Sequence, residues 1–158
     1  MRHTRMITGT VVVIFIVMAV ALSILSRQKE APGLVDGRLM SCPDTPNCVC
    51  SEYPANQAFV EPLGFEGNSA TAWSRVTAAV RDSGGKIVRE EGDYLAATYT
   101  SKVFRFIDDL ELRLDSRAGH IHVRSASRVG HSDLGVNRKR VEKLRKLYLE
   151  AAEANVEP

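Results

Sequence analysis

One uncharged stretch constrains this chain more than anything else in it. Residues Met6 to Ser26 read MITGTVVVIFIVMAVALSILS, without a single charge. Roughly 20 apolar residues span a bilayer core as a helix. Lipid offers the backbone no partner outside the helix, so the β-branched run Val11 to Ile14 is no obstacle. Arg2 and Arg5 precede the stretch; Arg27 and Lys29 come after it. A buried helix of a soluble core fits neither the length nor the purity. Ala19-Val20-Ala21 offers a small-residue site for signal-peptide cleavage. Leu22, Ile24 and Leu25 continue the apolar run beyond it, which favours an uncleaved anchor. No Cys lies at the end of the run, which argues against a lipoprotein anchor.

Bases flank both sides, so the positive-inside rule is evenly balanced. A short tail before a first apolar segment predicts export of the rest of the chain. The expected layout is a cytoplasmic tail over 1–5, a transmembrane anchor over 6–26, a polar linker over 27–41, a globular domain over 42–154 and a tail over 155–158. The expected location is the inner membrane, crossed once, with the domain in the periplasm.

The chain carries 21 Lys and Arg against 19 Asp and Glu, a net charge of +2, which excludes a nucleic-acid partner on bulk charge. The distribution is uneven. Glu30, Asp36, Asp44, Glu52, Glu61 and Glu66 face only Arg38 between residues 30 and 70. Arg138, Lys139, Arg140, Lys143, Arg145 and Lys146 cluster near the C-terminus against Glu142 and Glu150. The two halves are expected to pack together; a basic helix facing acidic lipid head groups is the other reading.

Residues 42–68 hold Pro43, Pro46, Pro54 and Pro62 and read as extended and irregular, with a short edge strand over 58–63. Asn68 or Ser69 caps a helix in which Trp73, Val76 and Val80 recur at helical spacing, and Gly84-Gly85 stops it. The period then changes to two. Strands are predicted over 86–89 and 94–100, followed by Leu110-Leu112-Leu114 and Ile121-Val123 alternating with polar residues. Matching their apolar faces constrains the hairpin register: a four-residue loop over 116–119 pairs Leu114 with Ile121, Leu112 with Val123, Arg113 with His122 and Glu111 with Arg124, and a two-residue Ala118-Gly119 turn keeps the same faces shifted by one pair. A second helix is predicted over 134–154, with Val141, Leu144, Leu147, Tyr148 and Ala151 on its apolar face. The expected fold is α+β, an antiparallel sheet of about four strands covered by two helices on one face.

Four motifs carry a resemblance. They are Cys42-Pro43-Asp44-Thr45-Pro46-Asn47-Cys48-Val49, Phe104-Arg105-Phe106-Ile107-Asp108-Asp109, Arg124-Ser125-Ala126-Ser127-Arg128-Val129-Gly130 and Ser132-Asp133-Leu134-Gly135-Val136-Asn137-Arg138-Lys139-Arg140. In this order, over about residues 39–148, the chain resembles domain-of-unknown-function family 1499. The resemblance implies a membrane-associated or exported protein and no established activity. The family usually carries Ser where this chain has Cys50.

Read by themselves, Cys42 and Cys48 can close a small disulfide loop in an oxidising compartment. A redox pair with Cys50 or a zinc site at C-x5-C-x-C is the alternative, although that is no standard zinc spacing. Neither a metal nor an organic cofactor is expected. The polar segment from Arg124 to Arg140 is where function is expected. Arg105, Asp108, Asp109, Arg124, Ser125, Ser127, Arg128, Ser132, Asp133, Asn137 and Arg138 are its candidate residues. Arg124, Arg128 and Arg138 could converge on a phosphate or carboxylate beside a helix start. Alternatively Arg124 and Arg128 pair with Asp108 and Asp109 while Asp133 or Asn137 caps the helix. His120 and His122 share a strand face without an obvious third ligand. Ser127, His131 and Asp133 supply hydrolase residue types without a nucleophile turn.

These residues are compatible with two functions. The first is a non-enzymatic, membrane-anchored module that binds a protein partner, an anionic ligand or a lipid head group. The second is a hydrolase-like enzyme acting on an anionic substrate at the same loop.

Overall fold

Alternation with a period of two puts leucines on one side of successive strands, and these strands zip into a meander. The computed structural model describes residues 2–154, apart from the side chains of residues 2–9. The tail expected over 155–158 lies outside the described residues.

Helix α1 (Arg2–Gln28) leads. Strands β1 (Leu34–Val35) and β2 (Arg38–Leu39) form a small hairpin. Then come β3 (Cys48–Cys50), β4 (Leu63–Gly64) and helix α2 (Ser69–Asp82). Strands β5 (Lys86–Glu91), β6 (Tyr94–Thr100), β7 (Ile107–Asp115) and β8 (His120–Ser127) make up the meander, and helix α3 (Val136–Glu153) closes the domain. The sheet order is β3-β8-β7-β6-β5, with β4 also pairing β8, all antiparallel. The four predicted strands are β5 to β8. The sheet has six because β3 and β4 both add to the free edge of β8.

Of the two predicted hairpin registers, the one with the four-residue loop is observed. Leu114 faces Ile121, Leu112 faces Val123, Arg113 faces His122 and Glu111 faces Arg124. On one side of the sheet Leu95, Leu110, Leu112, Ile121 and Val123 meet Val76 and Val80 of α2 and Val141, Leu144 and Tyr148 of α3. The Asn68 side chain caps α2 by accepting from Thr71 N, as its position predicted. Gly85 sits where an added Cβ would lie 2.8 Å from both the Tyr99 hydroxyl and Val80 Cγ1, so α2 approaches β6 through a glycine.

The opposite face departs from expectation. Residues expected to form a linker fold across it, and Leu39, Cys42, Cys48, Cys50, Tyr94, Ala96 and Ala126 form a second buried cluster. The edge strand expected over 58–63 is likewise displaced. Phe59 makes only an isolated parallel bridge with Cys50, and the strand itself is Leu63–Gly64. Prolines 54 and 62 deny this segment a continuous ladder.

Within α1, Thr10–Gln28 has a mean hydropathy of 2.4 and is long and apolar enough to cross a membrane. It is the one such helix among the described residues. Most of its side chains are exposed, but Ala19, Ser23 and Ser26 are buried, three and four residues apart. This narrow stripe of small residues is where the helix meets the domain.

Candidate functional site

Adjacent residues of a strand point to opposite faces, and Asp108 and Asp109 therefore serve separate clusters. Asp109 is buried on the second face and takes a bidentate pair from Arg128: Nη2 to Oδ1 at 2.7 Å and Nε to Oδ2 at 2.8 Å. Arg128 also donates to the main-chain carbonyls of Ser26 (3.1 Å) and Lys29, while Lys29 Nζ donates to Arg128 O at 2.8 Å. Ile107 N donates to Ser26 Oγ at 3.2 Å. This ion pair is thus the clasp that holds the end of α1 against the sheet.

Asp108 faces α3, where Arg140 Nη2 donates to it at 2.6 Å. Arg140 also donates to Ser125 Oγ at 2.9 Å and to Asn137 Oδ1, and its guanidinium lies 4.6 Å from the centre of the Tyr99 ring. Ser125 Oγ donates to Asn137 Oδ1 at 2.7 Å. Asn137 is buried and donates from Nδ2 to Asn47 O at 2.9 Å and to Ser127 Oγ at 3.1 Å. Asn47 Nδ2 reaches Gly130 O at 2.6 Å, and Asn47 O accepts from Ser127 N at 2.9 Å. This network joins the segment between the cysteines to the start of α3.

The expected convergence of Arg124, Arg128 and Arg138 does not occur. Arg124 points to the second face and pairs with Glu111 at 2.7 Å, not with Asp108 or Asp109. The reason is the register itself, which sets Arg124 directly opposite Glu111. Arg138 is exposed and donates twice to Phe59 O at 3.2 Å. Arg105 lies apart from all of these, in the loop joining β6 to β7. The N-cap of α3 is Gly135, and it is Asp133, not Asn137, that satisfies the helix start from two residues upstream: its carboxylate accepts from Gly135 N at 2.9 Å and Asn137 N at 2.6 Å. Ser132 Oγ accepts locally from Leu134 N at 3.3 Å. Ser127 and Asp133 are both engaged in these structural bonds, which does not favour a hydrolytic triad with His131.

The acidic and basic halves do pack together, though mainly through main-chain carbonyls. Arg138 reaches Phe59 O, and Arg145 reaches Glu61 O at 2.6 Å and Pro62 O at 3.0 Å.

Cys42 and Cys48 are joined in a disulfide, with their Cα atoms 5.6 Å apart. Cys50 is a free, buried thiol, and burial pushes its pKa up, which makes it a poor nucleophile. The rings of His120 and His122 sit 6.1 Å apart. Among the described residues no group of three or more His, Cys, Asp or Glu is placed to hold a metal ion.

Beside the disulfide loop opens a cleft of about 750 Å³. Asp44, Thr45, Cys48, Asn56, Gln57, Asp133 and Arg138 are among the residues that line it. The Arg124–Arg140 segment supplies only part of this cleft; Asn56 and Gln57, outside every motif, carry no sequence signal that would place them there. Arg140, one turn into α3, is the partner of Asp108 at the start of β7, a pairing not expected from the sequence.

Residues 38–147 match the family model described as "Protein of unknown function (DUF1499)". No curated protein and no solved structure matches the chain.

Proposed function

The chain belongs to the DUF1499 family, and from that premise we propose that it is a membrane-anchored binding module with its domain in the periplasm and α1 retained in the inner membrane. Its ligand is a small anion, a carboxylate or phosphate, seated in the cleft beside the disulfide loop. The observation that carries this reading is that the first and last of the four motifs, distant in sequence, line one cleft together with an exposed guanidinium. A guanidinium has five N–H donors; Arg138 directs two hydrogen bonds, from Nη1 and Nη2, to Phe59 O. The donors left over suit a planar, bidentate acceptor. The other two arginines of the expected cluster, Arg124 and Arg128, and Arg140 beside them support a non-enzymatic role, because each is matched to an internal carboxylate.

Calorimetry on the full chain in detergent, with inorganic phosphate, glycerol phosphate and succinate as probes, tests the reading. Binding of at least one probe is expected, lost in Arg138→Ala with unfolding unchanged. No binding by any probe, or equal binding by Arg138→Ala, would overturn it. Turnover of glycerol phosphate would favour the enzymatic alternative.

A further inference from the structure

The loop between β6 and β7 sets three large apolar residues beside two bases, and two of the apolar residues are exposed. It reads Ser101-Lys102-Val103-Phe104-Arg105-Phe106. Its base is pinched shut: Ser101 N donates to Phe106 O at 2.8 Å, and Phe106 N to Ser101 Oγ at 2.9 Å. Arg105 adopts a φ of 59°, a left-handed turn uncommon for a residue with a side chain. The tip that results projects Val103, 78% exposed, and Phe104, 37% exposed, away from the domain.

What these side chains meet is given by α1. The Phe104 ring packs edge-on against Phe15, centroids 5.9 Å apart, and Phe106 stacks behind Phe104 at 5.7 Å. Phe15 lies eleven residues before Ser26, hence about 16 Å deeper along the helix. Ser26 in turn is fixed to the start of β7 through Ile107 N and to Arg128. The clasp and the ring contact together lay the loop along the domain-side half of the apolar helix.

We propose that the Ser101–Phe106 loop is a second membrane contact, inserted into the leaflet nearest the domain, with Val103 and Phe104 among acyl chains and the long side chains of Lys102 and Arg105 reaching back toward the head groups. The inference rests on α1 staying in the bilayer. If it does, a surface continuous with Phe15 faces lipid, and burial of Val103 and Phe104 there follows from the ordinary gain on removing apolar area from water. Bases flanking an apolar tip suit the anionic lipid surface. The consequence is orientation: two attachments hold the domain at one fixed attitude, where a single helix with a free linker would let it swing.

The test uses the full chain reconstituted in vesicles of four parts phosphatidylcholine to one part phosphatidylglycerol. In a Cys50→Ser background, Val103→Cys carries an environment-sensitive fluorophore, and Val17→Cys and Ala118→Cys carry the same label as references. Val103 is so exposed that its replacement disturbs no packing. Spin-labelled lipid should quench Val103 and Val17 several-fold and leave Ala118, at the far turn of the β7–β8 hairpin, unquenched. A Val103 label that stays bright while Val17 is quenched would overturn the loop contact and leave the anchor standing. A bright Val17 label would overturn the anchor, and the loop contact with it.

Discussion

Glu111 has no exposed surface, and each of its oxygens is used. Oε1 accepts from Gly33 N at 3.0 Å and Tyr94 Oη at 2.8 Å, and Oε2 accepts from Arg124 at 2.7 Å. Burial first, and then the Glu111 charge, push the Tyr94 hydroxyl pKa well above its usual range, so it remains a donor. Replacing one partner of a buried pair strands the other, at a cost of about 3–5 kcal/mol. Glu111→Ala should therefore lose stability on that scale in a urea titration in mild detergent, and Arg128→Ala should lose more than about 2 kcal/mol by the same logic. A loss below about 1 kcal/mol, the ordinary yield of exposed pairs, would mean that these charges are solvated. His122 sets a pH dependence. Burial is the largest influence and lowers its pKa, helped by Arg113 and opposed by Glu52 and Asp115. Ser51 Oγ accepts from Val123 N at 2.8 Å and lies 3.2 Å from His122 Nδ1, and a hydrogen bond to the Ser51 backbone also opposes the lowering. The unfolded chain then binds a proton more readily than the folded one. Stability from this group is complete above the unfolded pKa of about 6.5 and is lost as pH falls below it. His122→Gln should flatten the stability profile across that window, and parallel curves for the two proteins would refute the assignment.

At the scale of elements, the faces of the β7–β8 hairpin were readable, because apolar faces must coincide; that requirement left two registers, and the structure takes the one with the four-residue loop. The same register placed Glu111 opposite Arg124, and the ion pair between them was legible there. Its burial was not. Glu111, Arg124 and Tyr94 read as a solvent face, whereas the segment from Gly33 to Tyr53 covers them, and nothing in its pattern of short polar stretches announces a second layer. Strand β3 was illegible for a related reason: three residues, Cys-Val-Cys, are too few for a period to show. The disulfide beside it was legible from the spacing, the prolines between the cysteines and the expected compartment, and it closes the segment that carries Asn47. Its contribution should fall toward the low end of about 2–4 kcal/mol, since the loop is short. Reduction should accordingly lower the unfolding temperature and free Asn47 from Ser127, Gly130 and Asn137. Alkylation with mass detection checks the pairing: native, non-reduced protein should take no label, and denatured, non-reduced protein should take one, at Cys50. Three labels without reductant would exclude the bridge.

For the whole molecule, the question is which side of the membrane holds the domain. Charge alone does not decide it, with Arg2 and Arg5 on one flank and Arg27 and Lys29 on the other. The fold alters that balance. Lys29 is bonded to Arg128 O, and its own carbonyl accepts from Arg128, so this flank belongs to the folded domain and is not a basic tail. Arg2 and Arg5, before the apolar run, then carry more weight, which favours a cytoplasmic start. The Cys42–Cys48 bridge points the same way, because disulfides persist in oxidising compartments. Charge and redox chemistry thus both support the proposed export of everything after α1. A phosphatase reporter that works only outside the cytoplasm should be active when fused after Pro158, and a fluorescent reporter that matures only in the cytoplasm should be dark there. The reverse pattern would put the domain in the cytoplasm and leave the disulfide without the compartment that sustains it.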